Sequence, residues 1–286
     1  MGIEHQKEVP LAAVIGSPIG QSLSPDLHNY WLVKNNLKGY YIPLNVNLQM
    51  LEKTINLLPK LGFKGANVTI PHKTNVLSMV DKLTDRATMI GAVNTLHFNS
   101  SGQITGDNTD AYGFIENIKQ KQPHWDPKKG PALVYGAGGA ARAIVWALLH
   151  EGVPEVRISN RTKTKAISLS DILGAKVKVI DWTNVDSQLE EVLTLVNTTS
   201  LGMIGNARFS PNISKLNSQA LVVDLVYNPL KTDLLKTAKS MGLKTVDGLG
   251  MLLHQGVPGF EKWFGVQPKV TEELEMFLQE KCNVTI

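Results

Sequence analysis

Short apolar runs alternate along the chain with segments whose apolar residues recur every three or four positions. The first run, Leu11–Ile15, is followed by a helical pattern over Asp26–Asn36, and the alternation continues to the C-terminal region. Short apolar runs are typical of buried strands, and the longer periodic segments are typical of amphipathic helices. The pattern therefore predicts an α/β fold with a largely parallel sheet.

The same periodicities place the individual elements, and the polar, basic segment 123–131 predicts a boundary between two domains. A chain of 286 residues suits two domains. Strands are predicted over 11–15, 40–46, 63–70, 92–98, 103–106, 132–135, 156–159, 176–180, 194–197, 220–224 and 244–246. Helices are predicted over 26–36, 48–61, 73–80, 85–90, 111–121, 143–151, 232–241, from 248 onward, and over 270–282.

Composition excludes several classes of protein. Hydrophobic residues make up 43% and charged residues 19% of the chain, as in ordinary soluble globular proteins. Cys282 is the one cysteine, so neither an intrachain disulfide nor a thiolate zinc cluster is expected. No metal site is expected. We expect a cytoplasmic protein, because the N-terminal segment has no signal-peptide pattern and no stretch suits a membrane span.

The net charge of +4 is spread along the chain as single and paired cations. Nucleic-acid-binding proteins more often show a basic stripe with aromatic residues between the cations. A modest positive field suits small anionic ligands instead. We therefore expect a small-molecule substrate and no nucleic acid.

The segment Asn67-Val-Thr-Ile-Pro-His-Lys73 is predicted to run from a strand into a helix. Pro71 suits the first helical position, which would place Lys73 in the first turn. Asn67 and Thr69 alternate on the strand and are expected to share one polar side. Lys73 is then either a solvated surface lysine or an acid–base group held in a cleft.

Two hydroxyls flank Leu23 just before the first predicted helix, 26–36. Ser24 is predicted to cap that helix, with Pro25 at its first position. Capping does not account for Ser22. Two hydroxyls beside the free N–H groups of a helix start also suit a carboxylate ligand.

Two further polar residues lie at the ends of predicted elements. Asn94 interrupts an otherwise apolar strand, and Asp110 closes the run Gly106-Asp-Asn-Thr-Asp110 before a helix. A carboxylate is common at the cap or first turn of a helix, which is the simplest interpretation of Asp110. The run lacks the ligand spacing of a calcium loop.

A glycine-rich turn connects the strand at 132–135 to an apolar helix. Its sequence, Gly136-Ala-Gly-Gly-Ala-Ala141, is the dinucleotide-binding pattern with Ala141 in the third glycine position. The glycines let the backbone approach a pyrophosphate, which then binds helix N–H groups. This context indicates a Rossmann-type domain.

The end of the following strand indicates which dinucleotide binds. NAD enzymes usually place Asp or Glu there for the ribose 2′-OH, whereas this chain has Asn160-Arg-Thr-Lys-Thr-Lys165. A guanidinium suits a 2′-phosphate, so the turn favours NADP. Three later segments at strand ends or helix starts are also candidates for ligand binding: 198–203, 225–229 and 248–256. Gln255 lies in the last of these segments and is either a cleft residue or a solvated one.

Over nearly its whole length the chain resembles the shikimate dehydrogenase family. The resemblance rests on the motifs at 22–25, 67–73, 91–95, 106–113, 136–141, 160–162, 197–200 and 248–255. It implies NADPH-dependent reduction of 3-dehydroshikimate to shikimate. It also implies a substrate domain over 1–110 that 249–286 complete, a Rossmann NADP-binding domain over 111–248, and a cleft between them.

The resemblance further implies roles for individual residues. Lys73 and Asp110 form the acid–base pair. Ser22, Ser24 and Tyr227 lie at the substrate carboxylate, and Thr69, Asn94, Asp110 and Gln255 bind the ring hydroxyls. The cofactor contacts are Gly136, Ala137, Gly138, Gly139, Ala140, Asn160, Arg161, Thr162, Lys165, Thr199, Leu225, Gly248 and Met251, with Asp85 as a further candidate.

Three alternatives stay open at this point. A quinate/shikimate dehydrogenase would accept an additional ring hydroxyl and use NAD or NADP, and pockets discriminate weakly against an added hydroxyl. A non-catalytic NADP-binding sensor needs the glycine turn but not the lysine and aspartate. A nucleic-acid binder is favoured only by the basic pI. A homodimer is a further expectation.

Overall fold

The computed structural model describes residues 9–284, which form two six-stranded sheets with helices packed around them. The α/β class predicted from the alternating pattern is confirmed. Residues 1–8, which belong to the segment without a signal-peptide pattern, lie outside the described residues. No helix in the described part of the chain is long and apolar enough to cross a bilayer.

The first sheet comes from the N-terminal part of the chain. Its strands are β1 (Leu11–Gly16), β2 (Tyr40–Asn45), β3 (Phe63–Val68), β4 (Lys82–Leu83), β5 (Thr95–Phe98) and β6 (Ile104–Asp107). Their order is β2-β1-β3-β5-β6-β4. Strand β1 is parallel to β2 and β3, and β4 is parallel to β6, whereas β5 is antiparallel to both its neighbours. The sheet is therefore mixed but mostly parallel.

Helices connect these strands and begin where side chains can cap them. The Asn47 side chain accepts a hydrogen bond from the Met50 N–H, and Thr84 does the same for Ala87. The helices are α1 (Ser24–Lys34), α2 (Leu48–Leu57), α3 (Asp85–Ile90) and α4 (Asp110–Lys121), with 3₁₀ turns at Leu58–Leu61 and Asn75–Met79.

The second sheet is entirely parallel and contains β7 (Ala132–Tyr135), β8 (Val156–Ser159), β9 (Val177–Ile180), β10 (Thr194–Asn197), β11 (Leu221–Asp224) and β12 (Lys244–Val246). Its order, β12-β11-β10-β7-β8-β9, is that of a Rossmann sheet. Ligands bind such sheets where the order reverses, outside the carboxyl ends of β7 and β10. Helices α5 (Gly139–His150), α6 (Lys163–Leu173) and α7 (Asp233–Ser240), with 3₁₀ turns at Pro127–Lys129 and Trp182–Gln188, accompany these strands.

The last two helices, α8 (Leu249–Phe264) and α9 (Glu272–Val284), return to the first part of the chain and contact α1. Helix α8 also packs along α4, close to Gly113. A Cβ on Gly113 would lie 2.7 Å from the Gln255 backbone nitrogen, so only glycine permits this approach. The domain limits at 110/111 and 248/249 stay a prediction.

The prediction that Pro71 and Lys73 lie in the first turn of a helix is wrong. The Ile70–Pro71 peptide is cis, and the chain makes a turn in which the His72 N–H donates to the Thr69 carbonyl at 2.9 Å. The helical segment that follows is the 3₁₀ turn Asn75–Met79. Lys73 therefore lies in a turn, where tertiary contacts rather than helix geometry fix its direction.

The prediction that Ser24 caps α1 is also wrong. Ser24 is the first residue of the helix, the cap position is Leu23, and no side chain there accepts a capping bond. Instead, the Ser24 N–H donates to the Ser22 hydroxyl oxygen at 3.3 Å. The Ser24 hydroxyl is therefore not the cap of this helix, whereas the Ser22 hydroxyl accepts the N–H of its first residue.

Candidate active site

Lys73 and Asp110 form a salt bridge at the end of the first sheet. The Lys73 Nζ lies 2.5 Å from the Asp110 Oδ2, and the two side chains are 14% and 4% exposed. Lys73 lies in the turn after β3, and Asp110 is the first residue of α4. Because water is largely excluded, each charge acts strongly on its partner and on any ligand bound beside it. The interpretation of Lys73 as a solvated surface lysine is wrong.

The turn that presents Lys73 is fixed by contacts to two other segments. The Lys73 carbonyl accepts a hydrogen bond from the Val93 N–H at 2.7 Å. The buried His72 ring places its Nε2 2.6 Å from the Val46 carbonyl oxygen. His72 was not among the residues predicted from sequence, and only its position next to Lys73 pointed to it.

Asn94 and Gln255 complete the polar group around Asp110. The Asn94 Nδ2 donates to Asp110 Oδ1 at 2.9 Å and lies 3.2 Å from Gln255 Oε1. Asn94 lies just before β5 rather than within it, and its Oδ1 accepts the Thr109 N–H at 2.7 Å. Gln255 is buried on α8, so the alternative of a solvated glutamine is wrong.

Other predicted substrate residues lie at neighbouring positions. Thr69 follows the end of β3, where its N–H donates to the Ile15 carbonyl at 2.9 Å. Asn67, predicted to share a polar side with Thr69, is buried and bonded inside the protein.

Tyr227 connects the second sheet to the serine pair. It follows β11 and packs in the apolar cluster that contains Leu23. Leu23 is the residue between Ser22 and Ser24 in the sequence. Burial raises the pKa of Tyr227 to about 12, while a hydrogen bond with the Leu23 backbone works in the opposite direction. The phenol therefore stays protonated at neutral pH, as a group that donates to a carboxylate should.

The glycine turn has the geometry of a pyrophosphate site. Gly136 has a φ of +113°, in the region that favours glycine, and packs against Thr198. A Cβ on Gly138, the cap residue of α5, would meet nothing within 4 Å, so open space lies in front of this turn. Ala137 is buried, and Ala140 is partly exposed in the first turn of α5. A phosphate placed there would meet backbone N–H groups at the positive end of the helix.

The same turn touches Lys73. A Cβ on Gly139 would lie 2.9 Å from the Lys73 Cβ. The glycine turn of the second sheet and the lysine turn of the first are thus in direct contact. A nicotinamide dinucleotide on the turn would lie beside the Lys73–Asp110 pair.

The cationic turn after β8 is exposed at the edge of this region. Lys163 is paired with Asp181 at 2.8 Å, and the Asn160 side chain donates to the Thr162 carbonyl. Within residues 9–282, Arg161 and Lys165 form no ion pair, so both are available to a 2′-phosphate. The residues present therefore fit NADP.

The remaining cofactor candidates are distributed around the second sheet. Thr199 follows β10 and donates to the Asn197 side chain at 2.7 Å. Gly248 lies directly against the Leu225 backbone, and Met251 is buried on α8. Asp85 is exposed at the start of α3, a helix that packs on α5.

Several polar residues around the site were missed in the sequence. Tyr41, Thr95 and Thr109 are buried beside the predicted residues and bond to them. Thr95 follows Asn94 and Thr109 precedes Asp110 in the sequence, and this adjacency was the one signal that the sequence offered. Within the described residues, no cluster of three His, Cys, Asp or Glu side chains could hold a metal ion.

A Rossmann sheet whose glycine turn contacts a buried lysine–carboxylate pair defines a class of protein. This class is the NADP-dependent oxidoreductases that act on a CH–OH group. Three family models match the chain: "Shikimate dehydrogenase substrate binding domain" over residues 14–96, "Shikimate / quinate 5-dehydrogenase" over 117–251, and "Shikimate 5'-dehydrogenase C-terminal domain" over 248–272. The chain belongs to the shikimate dehydrogenase family, as predicted.

Individual relatives agree with this assignment. The chain is 54% identical over 265 residues to "Shikimate dehydrogenase (NADP(+))" of Cereibacter sphaeroides, covering 93% of this chain and 95% of the relative. A structure of shikimate 5-dehydrogenase from Thermus thermophilus in complex with NADP(H) and shikimate matches with a TM-score of 0.83 and 34% identity, covering 95% and 99% of the two chains. Quinate dehydrogenase from Corynebacterium glutamicum in complex with NAD matches with a TM-score of 0.86 and 29% identity, covering 94% and 98%.

Proposed function

We propose that this chain catalyses the reversible reduction of 3-dehydroshikimate to shikimate with NADPH. The observation that carries the proposal is the buried Lys73–Asp110 pair in contact with the glycine turn. Relatives that are 54% identical over almost the whole chain are named for this reaction and for NADP. These relatives confirm the predictions of an NADP-dependent oxidoreductase and of NADP as the cofactor.

The proposed chemistry assigns one role to each polar group. NADPH, when bound, supplies the hydride to the carbonyl carbon of the substrate. As negative charge develops on the carbonyl oxygen, the Lys73 ammonium stabilises that charge and donates a proton to the oxygen. Asp110 orients the ammonium through its Oδ2, while Asn94 holds the other carboxylate oxygen in place. In the oxidation direction the same pair accepts the proton.

The two ends of the substrate would be held by different segments. Ser22, Ser24 and Tyr227 offer hydroxyl donors for the carboxylate, and Thr69 and Gln255 offer groups for the ring hydroxyls. The backbone N–H groups of the glycine turn would hold the pyrophosphate, and Arg161 and Lys165 would hold the 2′-phosphate. Leu225, Gly248 and Met251 would border the nicotinamide.

The purified chain should reduce NADP in the presence of shikimate, followed by nicotinamide absorbance. Shikimate and quinate are each offered with NADP and with NAD in parallel wells. We expect the highest catalytic efficiency for shikimate with NADP. Absence of turnover in all four wells would contradict the proposal and favour a non-catalytic binding module.

Quinate is the alternative substrate, and the similarity to a quinate dehydrogenase with NAD is the observation that favours it. The exposed Arg161 and the absence of a carboxylate in the turn 160–165 argue for NADP instead. A higher efficiency with quinate and NAD would replace the proposed substrate but retain the roles of Lys73 and Asp110.

Assembly into a homodimer and a cytoplasmic location both stay predictions. Light scattering on the eluting protein would measure the mass of the assembly against the 31.3 kDa of one chain.

A further inference from the structure

A continuous path of buried hydrogen bonds runs from strand β2 to the catalytic carboxylate. The Tyr41 hydroxyl donates to Asn67 Oδ1 at 2.6 Å, and Asn67 Nδ2 donates to Thr95 Oγ1 at 3.2 Å. The Thr95 hydroxyl donates to Asn94 Oδ1 at 2.8 Å, and Asn94 Nδ2 donates to Asp110 Oδ1 at 2.9 Å. All five side chains are buried. We call this set the Tyr41–Asp110 path.

The direction of each donor along the path is determined by its surroundings. The Thr109 backbone N–H can only donate, and it donates to Asn94 Oδ1. The Asn94 amide nitrogen must therefore point toward Asp110. The Asn67 Nδ2 also donates to the Asn94 carbonyl at 3.2 Å, and because a carbonyl can only accept, the Asn67 oxygen must face the Tyr41 hydroxyl.

Burial favours the protonated form of Tyr41, in which its hydroxyl can donate. Burial raises the pKa of Tyr41 well above its usual value, and a hydrogen bond with the Ser24 side chain works in the opposite direction. Ser24 is also one of the two serines proposed for the substrate carboxylate. The path thus extends from the carboxylate end of the site to its acid–base end.

We propose that Tyr41 and Thr95 are positioning residues, which act together with the Thr109 backbone N–H to hold the Asn94 amide in place and thereby position the Asp110 carboxylate. This inference rests on the proposed function of the Lys73–Asp110 pair. Tyr41 is 1% and Thr95 is 0% exposed, so neither contacts a ligand in the cleft. Their effect is transmitted through Asn94.

Thr95 is the decisive link in this path. Without its hydroxyl, Asn94 Oδ1 keeps only its bonds from Thr109, and Asn67 Nδ2 keeps only the Asn94 carbonyl, in a region where a lost hydrogen bond is not replaced by solvent. A displacement of the Asn94 amide would weaken its hydrogen bond to Asp110. Small misplacements of catalytic groups are costly to turnover.

The test uses two variants of Thr95 and two of tyrosine. Thr95→Val keeps the side-chain shape without the hydroxyl, Thr95→Ser keeps the hydroxyl, and Tyr41→Phe removes the first donor. Tyr40→Phe is the matched control, because Tyr40 is the adjacent residue on β2 and is 62% exposed. The values of kcat and KM for shikimate with NADP are measured, with thermal unfolding and shikimate binding recorded for every variant.

We expect Thr95→Val and Tyr41→Phe to lower kcat by about tenfold to a hundredfold while KM stays within about twofold. Thr95→Ser and Tyr40→Phe should retain the parent kcat within about twofold. A parent-like kcat in folded Thr95→Val or Tyr41→Phe would overturn the inference. A loss in Thr95→Ser equal to that in Thr95→Val would also overturn it, because the hydroxyl would then not be the relevant group.

Failure of the proposed function gives a different result. If Lys73→Ala turns over as fast as the parent, the pair is not catalytic and the positioning role falls with it. If Thr95→Val does not fold, the comparison between Tyr41→Phe and Tyr40→Phe decides, with equal kcat values contradicting the inference.

Discussion

The ammonium of Lys73 lies 2.5 Å from a carboxylate that is 37 positions further along the chain. The sequence left open whether this lysine is solvated or catalytic, since a lysine after a proline is compatible with both. Its low exposure and its partner exclude the solvated alternative, and a buried charge pair is costly to maintain without a function or many compensating contacts. The chemistry of Lys73 is therefore a property of its neighbours.

Replacing Lys73 with Ala should lower kcat by about a hundredfold to ten-thousandfold, the usual contribution of a general acid. Shikimate affinity should change little, because the carboxylate and the ring hydroxyls keep their other partners. Turnover is measured by nicotinamide absorbance and affinity by titration calorimetry. Lys60→Ala, an exposed lysine, is the control. A kcat within a few-fold of the parent would remove Lys73 from the chemistry.

Asp224 gives a prediction about stability. It is fully buried at the end of β11 and accepts hydrogen bonds from Asn197, Thr232 and Val226. Burial raises the pKa of Asp224 to about 6, although these hydrogen bonds work in the opposite direction. An aspartate in the unfolded chain has a pKa of about 3.9. The folded state thus binds this proton more tightly, and the free energy of unfolding falls as the pH rises from about 4 to about 6.

Asp224→Asn should remove this pH dependence. Relative to the parent, the variant should gain about 2 to 3 kcal/mol in free energy of unfolding between pH 4 and pH 7, since two pKa units correspond to about 2.7 kcal/mol. Urea unfolding of both proteins at the two pH values measures the difference. A difference that does not change with pH would show that Asp224 is ionised equally in the folded and unfolded states.

At the scale of elements, two turns from different sheets are in contact. The glycine turn before α5 would ordinarily be described by its phosphate-binding backbone alone. In this molecule Gly139 also lies against the stem of Lys73, and a Cβ there would meet the Lys73 Cβ at 2.9 Å. The glycine turn therefore forms part of the surface that positions Lys73.

Gly139→Ala should consequently displace Lys73 and lower kcat, because a Cβ contact cannot be relieved by rotating the end of the lysine side chain. Gly138→Ala is the matched comparison, since its Cβ would meet nothing within 4 Å of the protein. We expect Gly138→Ala to raise KM for NADPH, because the methyl group occupies space proposed for the pyrophosphate, and to affect kcat less. Steady-state kinetics with both variants tests this. Equal effects of the two substitutions on kcat would contradict the contact.

Over the whole molecule, the proposed site draws groups from both sheets and from α8. Lys73, Asp110 and Asn94 belong to the first part of the chain, Tyr227 and the glycine turn to the second, and Gln255 to the returning helix. Buried apolar residues from both parts also share one cluster, in which Ile90 and Ala92 lie with α4 and α5. Ligands that span this arrangement should stabilise the molecule as a whole.

NADP and shikimate should each raise the melting temperature, and both together should raise it further. A ligand at about 100 times its Kd adds about 2.7 kcal/mol, which corresponds to about 5 to 10 °C in a protein of this size. Differential scanning fluorimetry with each ligand alone and with both measures the shift. NAD in place of NADP is the control for the 2′-phosphate, and a larger shift with NAD would contradict the assignment of Arg161.

The sequence by itself determined the class of fold and the nature of the cofactor turn. Both are local properties: apolar periodicity depends on neighbouring residues, and the glycine turn is read within one strand–turn–helix unit. The start of α4 at Asp110 was equally local. The family resemblance then identified the residues now found around Lys73, although their roles stay predictions.

Only the tertiary structure decided how those residues act together. The turn at Pro71, the burial of Gln255 and the path through Tyr41 and Thr95 all depend on segments far apart in the chain. Local propensity cannot specify them, because a turn or an amide orientation is selected by the partners that packing brings to it. For the same reason, the contact between Gly139 and Lys73 exists only when both sheets are folded against each other.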